Sequence, residues 1–328
     1  MRIDPVLIPY NIVRSDYILN ENRKYVNISI DEALGINDEV RAEARKFFDR
    51  IIKDIFEVGK VDAEGDGYKR RHLDYGKCTV FGDVIVSVTC DCFCFDNKEA
   101  LEKNGGIEAV NTGSSMYGDL YLPSGHKLRN DYINVVFYAV SGTIDKANLM
   151  DTLQHELLHV YEQYRQGWSY SNRSDHGLYA NITSRMGKYK VGDDGYYMWR
   201  LMYLSFEDEQ RGFVNGFDGY VMKTMEDLNT ADINAVINGA PLNKDLANMR
   251  AFINRVKDGY IAPALSNEFM EFTGKPFSEF LEIAEKTMKQ LSMRLGRAII
   301  KIKDDLGLWE LGEHYVRFYL EPRNRYNI

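Results

Sequence analysis

The chain has 328 residues, 45% of them hydrophobic, and 41 basic against 49 acidic side chains, for a formal charge of -8. This composition excludes a disordered or collagenous chain, and at roughly 150 residues per domain the length makes about two packed units with ample core. A pI near 5.4 and the lack of a long basic stripe argue against nucleic acid as a partner.

Along the chain, Asp4, Asn11, Arg14 and Asp16 interrupt any apolar signal core, which points to a cytoplasmic protein. Tyr25 to Ile30 alternates as a short strand. From residue 37 to 56 the positions Val40, Phe47, Phe48, Ile51, Ile52 and Ile55 recur at helical spacing, with Asn37 as N-cap. The run Asp62 to Gly67 has the acids and glycine of a calcium loop, but Leu73 stands where the bidentate Glu is required, so a turn is predicted. Lys69-Arg70-Arg71-His72, the one tight basic cluster, is expected to be a solvated turn or strand edge.

Cys78 to Phe81 and Val84 to Phe95 form two strands joined at Gly82-Asp83. In the second, Cys90, Cys92 and Cys94 continue the face of Val84, Val86 and Val88, so they are expected to be small buried hydrophobes rather than metal ligands. Four cysteines are too few for a disulfide scaffold, which suits a reducing compartment. Asn104 to Gly106 and Asn111 to Ser115 read as loops, followed by a strand from Tyr132 to Val140. The apolar runs are strand length, far short of the roughly 20 residues of a membrane helix.

A helix is predicted from Asp145 to Gln166, stopped by Gly167. Ser169 to Gly195 reads as a surface loop. Further helices are expected at about 195–204, 206–226, 243–257 and 277–304, the last with the apolar spacing of core packing. The expectation is an α+β fold, with an α+β part over residues 1–145 and a mainly helical part over 146–328 that starts with the 145–166 helix. Oligomeric state is left open.

That helix carries Gln154-His155-Glu156-Leu157-Leu158-His159. Two histidines four apart lie one above the other on a helical face, so both imidazoles can reach one ion, and Glu156 can address the ion's open position. Among the six histidines, His72, His126 and His314 have no such partner pattern and read as structural.

This H-E-x-x-H arrangement resembles the zincin metallopeptidases. The metzincin branch continues to a glycine and a third histidine, but those positions here are Glu162 and Arg165. The gluzincin branch fits better. There a glutamate on a later helix completes the site, followed three residues on by a small residue, and Ser205-Phe206-Glu207-Asp208-Glu209-Gln210-Arg211-Gly212 supplies Glu209 with Gly212. Glu207 is the alternative ligand. Ser205 and Asp208 resemble a capping box.

The resemblance implies a zincin-like fold with a mixed sheet. It implies Zn2+ held by His155, His159 and Glu209, with Glu156 as general base in peptide-bond hydrolysis. A peptide or protein substrate would lie antiparallel to an edge strand before the active helix, the position of Asn134 to Val140. The transition-state donor is left open among Tyr170, Tyr196, Tyr197 and His176; His176 is also a lesser ligand candidate, and Glu162 a supporting or solvated residue. The motif helices are also similar to zincin-like proteins encoded by gut bacteria and their tailed phages. The alternative function is therefore a structural or virion assembly protein that keeps the fold with little turnover.

Overall fold

The computed structural model describes residues 36–104, 112–121, 127–166, 176–228, 232–260 and 262–308. The expected strand at Tyr25 to Ile30 lies outside them, as do Gly105, Gly106, Asn111 and Tyr170. The first element, α1 (Asp38–Glu57), starts where expected: the Asn37 side chain accepts from the backbone of Glu39 at 2.8 Å and of Val40 at 3.1 Å. Its apolar stripe covers a mixed sheet of β1 (Lys60–Gly65), β2 (Tyr68–Val80), β3 (Val84–Phe95), β4 (Thr112–Tyr121), β5 (Lys127–Val140) and β6 (Thr143–Ile144). Strand order is β1-β2-β3-β5-β4, with β6 pairing β5; only β3 and β5 run parallel. A short helix, α2 (Lys98–Lys103), follows β3.

Several expectations for the sheet are corrected. The basic cluster is neither a turn nor an edge: Lys69 to His72 lie in β2, paired with β1 on one side and β3 on the other. Its charges are tolerated there because acids face them, with Lys69 on Glu64, Arg70 on Asp62 and His72 on Asp91. The turn expected over Asp62 to Gly67 shrinks to Asp66-Gly67, where Gly67 has φ 78°. Finally, Asn134 to Val140 is interior rather than edge, flanked by β3 on one side and by β4 and β6 on the other. The edge on that side is β4, whose Thr112 to Ser115 read as loop because Thr, Gly and Ser give no apolar alternation; its backbone ladder to β5 makes it a strand.

The helix α3 (Lys146–Gln166) follows β6, with the Asp145 side chain accepting from the Asn148 backbone at 3.1 Å. Its Leu149, Leu153, Leu157 and Val160 pack into the sheet core. The rest is helical: α4 (His176–Met186), α5 (Asp194–Tyr203), α6 (Glu207–Leu228), α7 (Ile233–Gly239), α8 (Pro241–Lys257), α9 (Pro263–Thr273) and α10 (Phe277–Asp305). These helices build a second core around Trp199, Phe217, Phe252, Phe269 and Phe280.

α4 lies within the stretch read as a loop, because Gly, Asn, Thr and Ser are weak helix formers; it holds by packing Ile182 and Tyr179 onto the helical core. Ser205 does not cap α6 but donates to the Met202 carbonyl at 2.6 Å, closing the turn from α5. Among the described residues no helix is long and apolar enough to cross a membrane.

Between the two cores, α6 meets α3 through glycines. A Cβ at Gly216 would stand 2.0 Å from Asp151 Oδ1 and 2.9 Å from the Asp151 carbonyl oxygen; one at Gly219 would stand 2.9 Å from the Met150 carbonyl oxygen. Because a backbone atom cannot rotate away, Gly216→Ala is expected to cost about 1–3 kcal/mol, measured as a lowered urea midpoint. A Cβ at Gly239 meets nothing within 4 Å, so Gly239→Ala should stay within about 0.5 kcal/mol of the native protein.

Candidate metal centre

His155 and His159 stand on the face of α3 that meets α6, with their Nε2 atoms 3.1 Å apart. Glu209, in the first turn of α6, brings Oε2 to 3.4 Å from His155 Nε2 and Oε1 to 3.6 Å from His159 Nε2. All three residues are buried. The spacing of Glu209 and Gly212 has a steric cause: a Cβ at Gly212 would lie 2.8 Å from His155 Cε1 and 2.9 Å from its Nε2. Only a residue without a side chain lets α6 bring Glu209 against the two imidazoles.

The other carboxylates are turned elsewhere. Glu207, nearly half exposed, pairs with Arg294 of α10 and lies 3.5 Å from Arg211. Glu162 is held bidentately by Arg211, whose Nη2 donates to Oε2 at 3.1 Å. Glu156 is buried at 6% exposure, and its charge acts on both His155 and the Tyr179 hydroxyl. Of the two glutamates left open by the sequence, Glu209 is the one the fold delivers to the histidines.

Of the donors named from sequence, Tyr170 and the side chain of His176 lie outside what the structure describes. Tyr196 and Tyr197 lie edge to face with ring centroids 5.5 Å apart, and Tyr197 is set toward Asn248 and Asp245 of α8. His176 begins α4. Instead Tyr203, at the end of α5, hydrogen-bonds Glu209, and the Tyr179 hydroxyl of α4 lies 2.9 Å from that of Tyr203. Tyr203 precedes Glu209 by six residues, a proximity that the short α5–α6 turn makes informative. Tyr179 carried no signal because its helix read as a loop.

Burial penalises the Glu209 carboxylate, yet the charge of His159, the hydrogen bond with His155 and that from Tyr203 outweigh it and bring its pKa down to about 2. Burial likewise works against a charged His155, but the Glu209 hydrogen bond and the Glu156 charge prevail and raise it. Burial and the same carboxylate push the Tyr203 hydroxyl far up, so it stays a donor.

The donor atoms of His155, His159 and Glu209 all lie within 4.8 Å of one another. Buried His159 Nδ1 has no hydrogen-bond partner among the described residues. Two imidazole nitrogens and a carboxylate converging in a buried space form a donor set that can hold a divalent metal ion. A second cluster, Asp62, His72 and Asp91, is partly exposed. Arg70 already occupies both Asp62 oxygens at 2.9 and 2.7 Å, and His72 Nδ1 lies 2.9 Å from Asp91; these bonds account for the cluster without an ion.

The chain matches no protein-family model, no curated protein and no solved structure.

Glu209→Ala is expected to abolish stoichiometric metal binding, while Glu207→Ala retains it, measured by metal analysis after dialysis. Tyr203→Phe keeps the ring and removes the bond to Glu209. It should weaken metal affinity about 10–100-fold, read by competition with a chromophoric chelator.

Proposed function

We propose that the chain is a zinc-dependent metallopeptidase of the zincin type, with the gluzincin ligand pattern. The observation that carries this reading is the convergence of His155, His159 and Glu209, from two helices, beside Glu156 of the same H-E-x-x-H turn. Two neutral imidazoles and one carboxylate suit Zn2+, a borderline ion that takes nitrogen and oxygen donors in tetrahedral sites. When bound, zinc supplies Lewis acidity that activates a water and polarises the scissile carbonyl.

The remaining work falls to side chains. Glu156 takes the proton of the attacking water and passes it to the leaving amine, as general base and then general acid. Tyr203 and Tyr179, as a hydrogen-bonded pair, hold Glu209 in place. A peptide substrate pairs with the outer side of β4, which has no strand partner among the described residues. Backbone groups along an unpaired edge bind an extended peptide by strand addition, whatever its sequence.

Glu156→Gln should keep stoichiometric zinc and lose about 10²–10⁴-fold in hydrolysis, read by mass spectrometry of a mixed peptide library. A native protein without stoichiometric zinc, or a Glu156→Gln protein that cleaves as fast as native, overturns the reading. Zinc bound tightly with no cleavage in the native protein favours a structural role for the centre.

A further inference from the structure

The stripe of thiols on β3 does not end as it begins. Cys90 and Cys92 are fully buried, whereas Cys94 is only partly so. Cys94 opens into a cavity of about 310 Å³ lined by Phe56 of α1, Lys69 and Arg71 of β2, Phe95, Asp96, and Ser141-Gly142 of the β5–β6 turn, so that two cations stand against one acid. Register sets Lys69 opposite Cys94 and Arg71 opposite Cys92, so two cations face two thiols. The Cys92 and Cys94 Sγ atoms are 3.7 Å apart. Cys78, the fourth cysteine, lies apart from them and donates to the Tyr75 carbonyl at 3.8 Å.

We propose that Cys94 and Cys92 are a redox pair, in which Cys94 is the attacking thiolate for small anionic disulfides admitted by the cationic cavity and Cys92 is the resolving thiol. The thiolate, not the thiol, is the nucleophile in such exchange. A hydrogen bond from the Cys92 thiol, assisted by Arg71 against the opposing effect of burial, lowers the Cys94 pKa to about 7. The same bond and burial keep Cys92 protonated. Arg71 is itself fixed, donating to the Gly59 carbonyl at 3.1 Å.

In the first step Cys94 Sγ attacks one sulfur of the disulfide, whose S–S bond breaks, leaving a mixed disulfide on Cys94 and one departing thiolate. Cys92 then yields its proton to a departing thiolate while its sulfur attacks Cys94 Sγ and expels the second. Two protein thiols are oxidised and one small disulfide is reduced to two thiols. The proton already lost by Cys94 ends, through solvent, on the other leaving group. Residues two apart on a strand hold their Cα atoms about 6.6 Å apart. That is near the upper end of what a disulfide spans, so the bond is strained and readily reduced.

The test uses the full reduced chain and dithiobis-nitrobenzoate, an anionic aromatic disulfide. The native protein is expected to release about two thiol equivalents in its fast phase and to keep no label on the peptide bearing Cys92 and Cys94, which becomes two hydrogens lighter. Cys92→Ala should release one equivalent and retain the label on Cys94. Cys94→Ala should lose the fast phase. Among alkyl disulfides, the anionic dithiodiglycolate should react about tenfold faster with the native protein than the cationic cystamine, although its leaving thiolate is the more basic of the two. Fast labelling of Cys78 instead, or a native protein that keeps label on Cys94 with Cys92 a free thiol, overturns the pair; cystamine reacting as fast as dithiodiglycolate or faster overturns the anion selection. Peptide mapping of the native protein decides the pairing even where a variant folds poorly.

Discussion

How closely α6 can approach α3 decides the rest of the structure. Gly212, Gly216 and Gly219 recur at steps of four and three, so they line one side of α6, and each meets α3 where a Cβ would collide. Each glycine in a helix interior costs about 0.5–1 kcal/mol relative to alanine. The close approach replaces that loss with polar contacts rather than apolar packing: Asn215 Nδ2 donates to the Gln154 carbonyl at 2.6 Å, and its Oδ1 accepts from the Asn37 backbone at 3.3 Å. Glu209 reaches the histidines only because the helix that bears it can come this near.

Two charged clamps fix α6 along the seam, one on each side of the three donors. Beyond Gly212, fully buried Asp218 receives Arg41 of α1 in a two-pronged bond of 2.8 and 2.5 Å, and Arg41 also holds Asp305 of α10 at 2.6 Å. Burial raises the Asp218 pKa in spite of Arg41, because the ionised carboxylate gives up its solvation there. Removing one partner of such a pair typically costs about 3–5 kcal/mol, because the other charge stays buried and unpaired. On the other side, Arg211 joins Glu162 of α3 to Glu207, which Arg294 of α10 also holds. With α6 and α10 tied together at both clamps, to α1 at one and to α3 at the other, α6 can neither slide nor rotate without breaking a buried ion pair.

The parts of this arrangement that were legible in the sequence are those with local causes. Asn37 capping α1, the valine and cysteine face of β3, and His155 and His159 on one face of α3 follow from helical or strand periodicity within a single element. Glu209 with Gly212 was legible through the resemblance to the gluzincin pattern, with Glu207 as the alternative, and the collision of a Cβ at Gly212 with His155 gives that spacing its steric reason. What the sequence did not disclose depends on distant partners. β1 and the charged half of β2 exist because acids and bases face each other across strands, and β4 exists because β5 supplies its ladder. Tyr179 and Tyr203 meet at Glu209 only after α4 and α5 have packed on the helical core.

The location of the centre follows from the same division. α3 buries its apolar face in the sheet core and α6 buries its own in the helical core, so the surface between them need not be apolar and can carry histidine, glutamate and arginine. A cation held by His155, His159 and Glu209 would then touch both cores, one through each helix. Such a cation would bind only while both are in place, and by mass action its binding free energy would add to the seam rather than to either core alone.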